Sequence, residues 1–290
     1  AYEQSNEENN GGWKQYQKDK TIFDSIIDEN NNDNNKLKIE YNLSKTMFLK
    51  EYYSRYVPVV VSPTTETGHK SSIVSNTKWI HKKIWGKKSF IKHYGHLKTT
   101  ISQLPYGNTY GEASKQVTLK DYIRKYMGKD FISMIPSTPK DNSEGVTAPN
   151  YIFDGGYIWH STFNHIIRTP SFLSNLMNRP ELKQFALGTR GSGAQPHFHQ
   201  QAWNMLIYGR KRWYFKKPPT GTFHSETSLS FFNKFLNDAG NRNKNKNDNN
   251  DNDEYYEHIQ TRGEIIYIPE LYSHATLNLD DSIGVAMAFA

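Results

Sequence analysis

The chain of 290 residues carries 36 lysines and arginines against 29 aspartates and glutamates, which gives a formal net charge of +7. A chain of this length forms one large domain or two small ones, and an aromatic content of 14% supplies enough large apolar side chains for a core. The absence of cysteine excludes a disulfide framework, a cysteine-ligated zinc finger, an iron–sulfur cluster and thiol catalysis.

Two polar tracts carry no apolar side chain: residues 28–36, DENNNDNNK, and residues 241–254, NRNKNKNDNNDNDE. Such tracts cannot bury enough apolar surface to offset the entropy of ordering a chain. We therefore expect both to be disordered. We also expect residues 1–40 to form a polar, Asn-rich tail before a folded domain that covers residues 41–290.

The folded domain is predicted to begin with helices, over about residues 41–128. In LSKTMFLKEYYSRY the apolar side chains from Leu43 to Tyr56 recur at steps of three and four, which is typical of a helix, and Asn42 is the expected cap. The following PVVVS is predicted to be a short buried strand.

Two further helices are predicted from the same period. One lies between Trp79 and Tyr94, and the other lies in VTLKDYIRKYM. Thr118 is the expected cap of the latter, and Asp121 is placed to complete a capping box.

From about residue 150 to residue 290, short apolar runs alternate with Gly, Pro and Asn. The runs are YIFD, KQFALGT, AWNMLIYG, KRWYFKKPP, GEIIYIP, SHATLNL and SIGVAMAF. Several short strands at this spacing favour an all-β sandwich or barrel over parallel β–α–β units. We therefore predict a mainly β core in this half of the chain.

Two of the eleven histidines, His197 and His199, stand two residues apart in PHFH. Residues i and i+2 of a strand face the same side, so a strand here would present both imidazoles together as half of a site for a divalent metal ion. His274, in IPELYSHATLNL, is a candidate third ligand because it is expected at the mouth of a strand. The alternative is that the HxH pair is a coincidence.

The other eight histidines lie in polar or helical contexts, where a surface ring or a ring with one hydrogen bond is the ordinary case. They are His69, His81, His93, His96, His160, His165, His224 and His258. We expect structural roles for all of them.

The segment WNMLIYGRKRW predicts two strands joined by a turn at Gly209. Alternation along the second strand makes Lys211 face opposite to Arg210 and Arg212. A lysine that points into a barrel is costly unless it meets an anion. The alternative is a basic edge strand in water.

Three blocks of the sequence resemble the signature blocks of the Jumonji-C (JmjC) proteins, members of the cupin superfamily of iron(II)- and 2-oxoglutarate-dependent oxygenases. They are GSGAQPHFH, GRKRWYFKKPP and RGEIIYIPELYSHATLNLDDSI. The resemblance continues through YIFDGGY and VTLKDYI, so that it covers most of the chain from about Leu43 to Phe289. It implies a double-stranded β-helix, also called a jelly roll, with helices before it.

The resemblance also implies a metal centre. By this match His197 is the first ligand, His199 occupies the position of the usual carboxylate ligand, and His274 is the distal ligand. The implied metal is Fe(II). Zn(II) is the alternative, because three neutral histidines are also a familiar zinc arrangement.

The same resemblance implies a site for the co-substrate 2-oxoglutarate. Lys211 matches the lysine that pairs with the far carboxylate of this molecule, and Asn204 and Tyr151 match polar groups that help to hold it.

The sequence also departs from the family pattern. Ala194, Ala286 and Ala288 stand where several relatives have Thr or Asn side chains. Each hydrogen bond lost to a charged group weakens binding by roughly 1–3 kcal/mol. His199 removes the negative charge that the usual ligand set places on the metal.

Two functions are therefore implied. The first is an Fe(II)/2-oxoglutarate oxygenase that hydroxylates a side chain of a protein or peptide substrate, which Lys211, Asn204 and Tyr151 favour. The second is a catalytically impaired scaffold, with or without metal, that recognises a protein partner, which His199 and the missing polar groups favour. The charge of +7 is a weak signal for nucleic-acid binding, and no run of eighteen apolar residues predicts a membrane span.

The sequence is most similar to a divergent His-x-His subgroup of JmjC proteins that resides in the lumen of the endoplasmic reticulum. A start at Ala1 without Met fits either a trimmed chain or a mature chain whose targeting segment has been removed, and the sequon at Asn42 permits N-glycosylation. We therefore expect a lumenal location, with the nucleus and the cytoplasm as alternatives.

Overall fold

The computed structural model describes residues 10–17, 21–26, 35–63, 82–105, 114–135, 147–154, 166–174, 176, 183–218, 224–242 and 255–289. The two tracts predicted to be disordered lie mostly outside the described residues. Their described ends join the fold, because Lys36 forms a bridge with Glu257 and a helix continues through Arg242.

The described part of the chain forms thirteen strands. Their bounds are β1 Ile39–Glu40, β2 Val59–Val61, β3 Lys98–Ile101, β4 Lys115–Thr118, β5 Ile152–Asp154, β6 Lys183–Gly188, β7 Gly193–His197, β8 Ala202–Tyr208, β9 Lys211–Lys216, β10 Tyr255–Gln260, β11 Ile265–Ile268, β12 Ser273–Asn278 and β13 Ser282–Ala288. Each of the seven apolar runs predicted from the sequence contains one of these strands.

Eleven of the strands form two sheets, and β3 and β4 form a separate antiparallel hairpin. The larger sheet has the order β1-β2-β11-β8-β13-β6-β5, and the smaller has the order β10-β9-β12-β7. One apolar cluster joins Ala202 and Ile266 of the larger sheet to Trp213 and Phe215 of the smaller. The two sheets therefore face each other, and the predicted mainly β jelly-roll fold is confirmed.

Alternation divides the residues of β8 between two environments. Trp203, Met205 and Ile207 belong to the large apolar cluster that also contains the buried side chains of the helices. Ala202 belongs instead to the cluster between the two sheets. Asn204 shares the face of Ala202 because residues two apart in a strand point the same way, so its amide enters the interior of the barrel.

Five α-helices lie in the described part of the chain. They are α1 Lys45–Met47, which continues as a π-helix over Phe48–Tyr53, α2 Lys82–Trp85, α3 Lys87–Tyr94, α4 Leu119–Lys125 and α5 Ser228–Arg242. The first four agree with the predicted helical regions, although Trp79 lies outside the described residues.

One of the two predicted helix caps is confirmed and the other is wrong. Thr118 caps α4 as expected, because its hydroxyl oxygen accepts a hydrogen bond from the backbone N–H of Asp121 at 3.1 Å. The prediction for α1 is wrong: Ser44, not Asn42, is the cap, and its side chain accepts from the N–H of Met47. The helix thus begins two residues later than expected, and Leu43 is buried outside it.

Two segments of the predicted tail, residues 10–17 and 21–26, pack against the rest of the protein. Trp13 is fully buried in the large cluster, and its indole N–H donates to the carbonyl of Trp85 at 2.9 Å. Phe23 and Asp24 are buried as well. The polar average of residues 1–40 therefore conceals single aromatic side chains that contribute to the core.

Five of the strands and α-helices were not predicted, namely β1, β3, β4, β10 and α5. Strand β10 pairs with β9 at the edge of the smaller sheet, and α5 packs Leu229, Phe232 and Leu236 onto that sheet. No helix in the described part of the chain is long and apolar enough to cross a membrane.

Candidate metal centre

Three histidines converge at one end of the barrel. His197 ends β7, and His274 lies directly opposite it on β12. The ring centroids of this pair are 4.3 Å apart, and the ring of His199 lies 5.5 Å from His197 and 4.7 Å from His274. One ligand atom from each residue lies within 4.8 Å of the others.

His199 reaches this cluster by a different route from the one expected. The sequence predicted that both residues of the HxH pair share a strand, but β7 ends at His197, and His199 lies two residues beyond it. Its backbone carbonyl accepts a hydrogen bond from the N–H of Leu271 at 3.4 Å, in the turn that leads into β12. The ring position therefore depends on this loop contact and not on strand alternation.

A β-bulge shapes the strand pair that carries two of the histidines. His274 opposes His197 and Thr276 opposes Ala194, so a step of two residues on β12 corresponds to a step of three on β7. One extra residue of β7 is accommodated at this point. Because directly opposed residues share a face, the bulge turns both Ala194 and His197 toward the inside of the barrel.

The Nδ1 atom of each imidazole lies against a backbone carbonyl oxygen. The acceptors are Gln195 at 2.7 Å for His197, Gln200 at 2.5 Å for His199 and Tyr272 at 3.0 Å for His274. An imidazole that donates from Nδ1 carries its lone pair on Nε2, which is the arrangement found around ligated metal ions. Each ring is thus oriented by the backbone to offer Nε2.

The three rings are neutral at pH 7. Burial, followed by the charge of His199, lowers the pKa of His197 to about 3. Burial also lowers the pKa of His199, and burial together with the two other imidazoles lowers the pKa of His274 well below its usual range. Since a metal ion binds neutral imidazole, these rings can act as ligands without first losing a proton.

One wall of the cluster is aromatic. The rings of Trp213 and Phe215 stack beside His274, at centroid distances of 6.0 and 5.8 Å. The indole N–H of Trp213 donates to the side-chain oxygen of Gln260 at 2.9 Å, which fixes the ring. This wall excludes water from one side of the centre.

Lys211 lies deeper in the same barrel. On the β9–β12 pair, Phe215 opposes His274 and Lys211 opposes Asn278. Four strand residues correspond to about 13 Å along β9. The side chain is 2% exposed, and its ammonium donates to the hydroxyl of Tyr151 at 3.3 Å. Burial lowers the pKa of Lys211 to about 7.

The two chain neighbours of Lys211 are also buried, so the alternative of a basic edge strand in water is wrong. Arg210 pairs with Asp280 at 2.8 Å and with Asp24 at 3.2 Å. Arg212 is fully buried and pairs with Glu257. Both arginines have acidic partners, whereas no carboxylate in the described part of the chain pairs with the lysine between them.

Two amides extend the polar lining near Lys211. The Oδ1 atoms of Asn204 and Asn278 are buried, and no hydrogen-bond donor among the described residues reaches either of them. The resemblance identified Asn204, but Asn278 was missed. The signal was present in SHATLNL, because positions 274, 276 and 278 share one strand face.

Two of the alanines that stand where relatives have Thr or Asn lie opposite polar residues of the barrel. Ala286 is buried opposite Asn204 on the β8–β13 pair, and Ala194 is buried opposite Thr276. Neither alanine offers a polar side chain to a ligand, so Lys211, Tyr151, Asn204 and Asn278 are left as the candidate polar contacts.

The residues present fit a divalent metal ion with an organic anion beside it. Three neutral imidazoles suit Fe(II), and they also suit Zn(II). The backbone of Lys211 lies about 13 Å along β9 from that of Phe215, and its long side chain carries a buried ammonium that is complementary to a negative group at the far end of a short ligand.

Comparisons with known proteins support the same family. The chain is 23% identical over 240 residues to JmjC domain-containing protein 8 of Mus musculus, covering 81% of this chain and 76% of the relative. It is 26% identical over 190 residues to the protein of the same name from Homo sapiens, covering 64% and 63%. Arginine-specific demethylase JMJ20 of Arabidopsis thaliana is 21% identical over 264 residues, covering 84% of this chain and 54% of that protein. No protein-family model matches the chain.

Proposed function

Because this chain is a JmjC-domain protein, from a family of metal-dependent oxygenases, we propose that it binds Fe(II) and 2-oxoglutarate and hydroxylates a side chain of a protein substrate. When bound, the metal and the co-substrate supply the oxidising chemistry. The protein contributes the ligands, the orientation of the co-substrate and a site that excludes water.

The buried ammonium of Lys211 is the observation that carries this proposal. A lysine that is 2% exposed and whose one hydrogen-bond partner among the described residues is a phenol destabilises an empty barrel. A dicarboxylate removes this cost, because one carboxylate reaches the metal centre while the other accepts from the ammonium. The hydroxyl of Tyr151 and the amide of Asn204 are the further contacts we assign to the same carboxylate.

The substrate we propose is a polypeptide that approaches the end of the barrel where His199 is half-buried. The exposed Leu271 lies in the turn before β12, and its backbone N–H donates to the carbonyl of His199. The side of the metal centre at His199 is the open approach, because Trp213 and Phe215 cover the side at His274. We also propose a location in the lumen of the endoplasmic reticulum, which the His-x-His pattern supports.

Two observations favour a second function, a JmjC scaffold that recognises a protein without oxidising it. His199 makes the ligand set neutral, so a bound ion keeps its full double charge, and Ala194 and Ala286 offer no hydrogen bonds to the co-substrate. A scaffold of this kind, with or without metal, would fail to turn over 2-oxoglutarate.

The two functions are separated by metal analysis of the purified protein combined with an assay for succinate formation from 2-oxoglutarate under Fe(II) and oxygen. We expect one metal ion per chain and slow succinate formation even without substrate. His197→Ala and His274→Ala should each remove both. The exposed His93→Ala is the matched control and should change neither. Stoichiometric metal without any succinate would favour the scaffold.

A further inference from the structure

The N-terminal strap, defined as residues 21–26, crosses the outer face of β9. Asp24 at the end of its single turn has a fully buried carboxylate. The guanidinium of Arg212 donates to the backbone carbonyls of Phe23 at 3.1 Å and Ser25 at 2.5 Å. The strap is therefore bound to β9 by its backbone as well as by its acidic side chain.

The same strap holds Arg210, the residue on the other side of Lys211. One carboxylate oxygen of Asp24 accepts from Arg210 at 3.2 Å and from Arg190 at 3.1 Å, and the other accepts from Arg190 at 2.6 Å. Arg210 also pairs with Asp280, in the turn that follows β12. Asp24 thus links Arg210, which directly precedes β9, to Arg190, in the turn between β6 and β7.

These contacts have a consequence for Lys211, because its two chain neighbours are both fixed from outside the barrel. Alternation along β9 directs a residue inward when the residues before and after it are directed outward. Without the strap, Arg210 would lose Asp24 and Arg212 would lose the carbonyls of Phe23 and Ser25, which leaves Asp280 and Glu257 to compensate the two buried charges. The start of β9 would still be paired with β10 and β12, but the side chain of Lys211 would be held less tightly.

We propose that Asp24 and the strap position Lys211 for the far carboxylate of 2-oxoglutarate, an inference that rests on the proposed function. Asp24 does not contact the ligand in this arrangement. It acts through Arg210, which is a chain neighbour of the lysine, and it is a positioning residue. The metal ligands lie on β7, on β12 and after β7, so the strap should influence the co-substrate more than the metal.

The test compares Asp24→Asn with the unaltered protein in three measurements. The first is chemical labelling of lysine amines, read by mass spectrometry, with the exposed Lys88 as an internal reference. The second is the dissociation constant of 2-oxoglutarate in the presence of metal, and the third is that of Co(II). We expect labelling of Lys211 to rise and 2-oxoglutarate affinity to fall by about tenfold each. Co(II) affinity should stay within about twofold.

A milder variant keeps the test usable if Asp24→Asn fails to fold. Arg210→Lys retains the charge but lacks the planar fork that contacts Asp24 and Asp280 together, so a smaller change in the same direction is expected. Glu51→Gln removes an exposed ion pair with Arg55 and is the matched control, for which all three measurements should remain unchanged.

The outcomes distinguish the inference from the function on which it rests. Unchanged labelling of Lys211 in both variants would overturn the inference, and so would an equal loss of Co(II) and 2-oxoglutarate affinity, which indicates general loosening. If the unaltered protein binds no 2-oxoglutarate but labelling of Lys211 still rises in the variants, the co-substrate assignment fails and the positioning role of the strap stands.

Discussion

The ammonium nitrogen of Lys211 lies 3.3 Å from the hydroxyl oxygen of Tyr151, in the interior of the barrel. An ammonium offers three hydrogen-bond donors, and this contact uses one of them. Burial lowers the pKa of Lys211 to about 7, so its charged form is disfavoured until an anion arrives. The pair is therefore better suited to a ligand-bound protein than to an empty one.

The first prediction is that Lys211→Met stabilises the empty protein and abolishes its response to 2-oxoglutarate. Replacing a poorly compensated buried charge with an apolar side chain of similar length should raise the free energy of unfolding by about 1–4 kcal/mol. Thermal melting with and without millimolar 2-oxoglutarate checks both effects.

Lys88→Met is the control for this variant, because it removes a lysine that is exposed on α3 and should leave the ligand response intact. Arg212→Ala is unsuitable, since Arg212 is fully buried and paired with Glu257. A ligand response that survives Lys211→Met would contradict the assignment of this lysine.

Local patterns predicted much of the barrel and part of the site. Alternation along β9 correctly placed Lys211 on an inner face, because a strand period of two needs no knowledge of distant residues. The bulge that turns Ala194 inward was not predictable in this way, since it depends on the register between β7 and β12.

Contacts between distant parts of the chain were the main features missed. Asp24 pairs with Arg190 and Arg210, which are 166 and 186 residues away. The spacing of neighbouring residues cannot indicate a pair so far apart in the sequence. Trp13 was missed for a related reason: one buried aromatic side chain in a polar stretch leaves no repeating pattern.

The second prediction concerns pH. Only the protonated form of Lys211 attracts a carboxylate, and the pKa of the empty protein lies at about 7. The affinity for 2-oxoglutarate should be constant below this pH and should fall by up to about tenfold for each unit above it, until the pKa of the complex is reached. Isothermal titration calorimetry between pH 6 and pH 9 measures this, at roughly one-unit steps.

The empty protein should show the opposite trend. Since the pKa of Lys211 is lowered from 10.5 to about 7, the unfolded chain binds more protons between these values, and the free energy of unfolding should rise with pH across that interval. Lys211→Met should weaken this rise. An affinity that is independent of pH would argue against the ammonium as the contact.

The third prediction tests the role of His199. His199→Asp supplies the carboxylate that the family usually has, and it reduces the net charge of a bound Fe(II) centre by one. If the neutral ligand set limits activity, succinate formation from 2-oxoglutarate should increase in this variant, whereas His197→Asp should lose metal. Unchanged turnover in His199→Asp with full metal content would place the limitation at the polar contacts, for example at Ala194 or Ala286.

The last prediction concerns the acid stability of the strap. Burial alone would raise the pKa of Asp24, but the hydrogen bonds and charge of Arg190, followed by the charge of Arg210, outweigh it and hold the pKa below the usual 3.8. A carboxylate with a lowered pKa contributes stability that is fully present above the unfolded-state pKa and is lost as the pH falls through the folded-state pKa.

Asp24→Asn should therefore lower the free energy of unfolding by about 3–5 kcal/mol at neutral pH, and the difference from the unaltered protein should shrink below pH 3.8. Urea unfolding at neutral and acid pH measures the difference directly. A difference that remains constant across this range would mean that packing of the side chain, and not its charge, fastens the strap to the barrel.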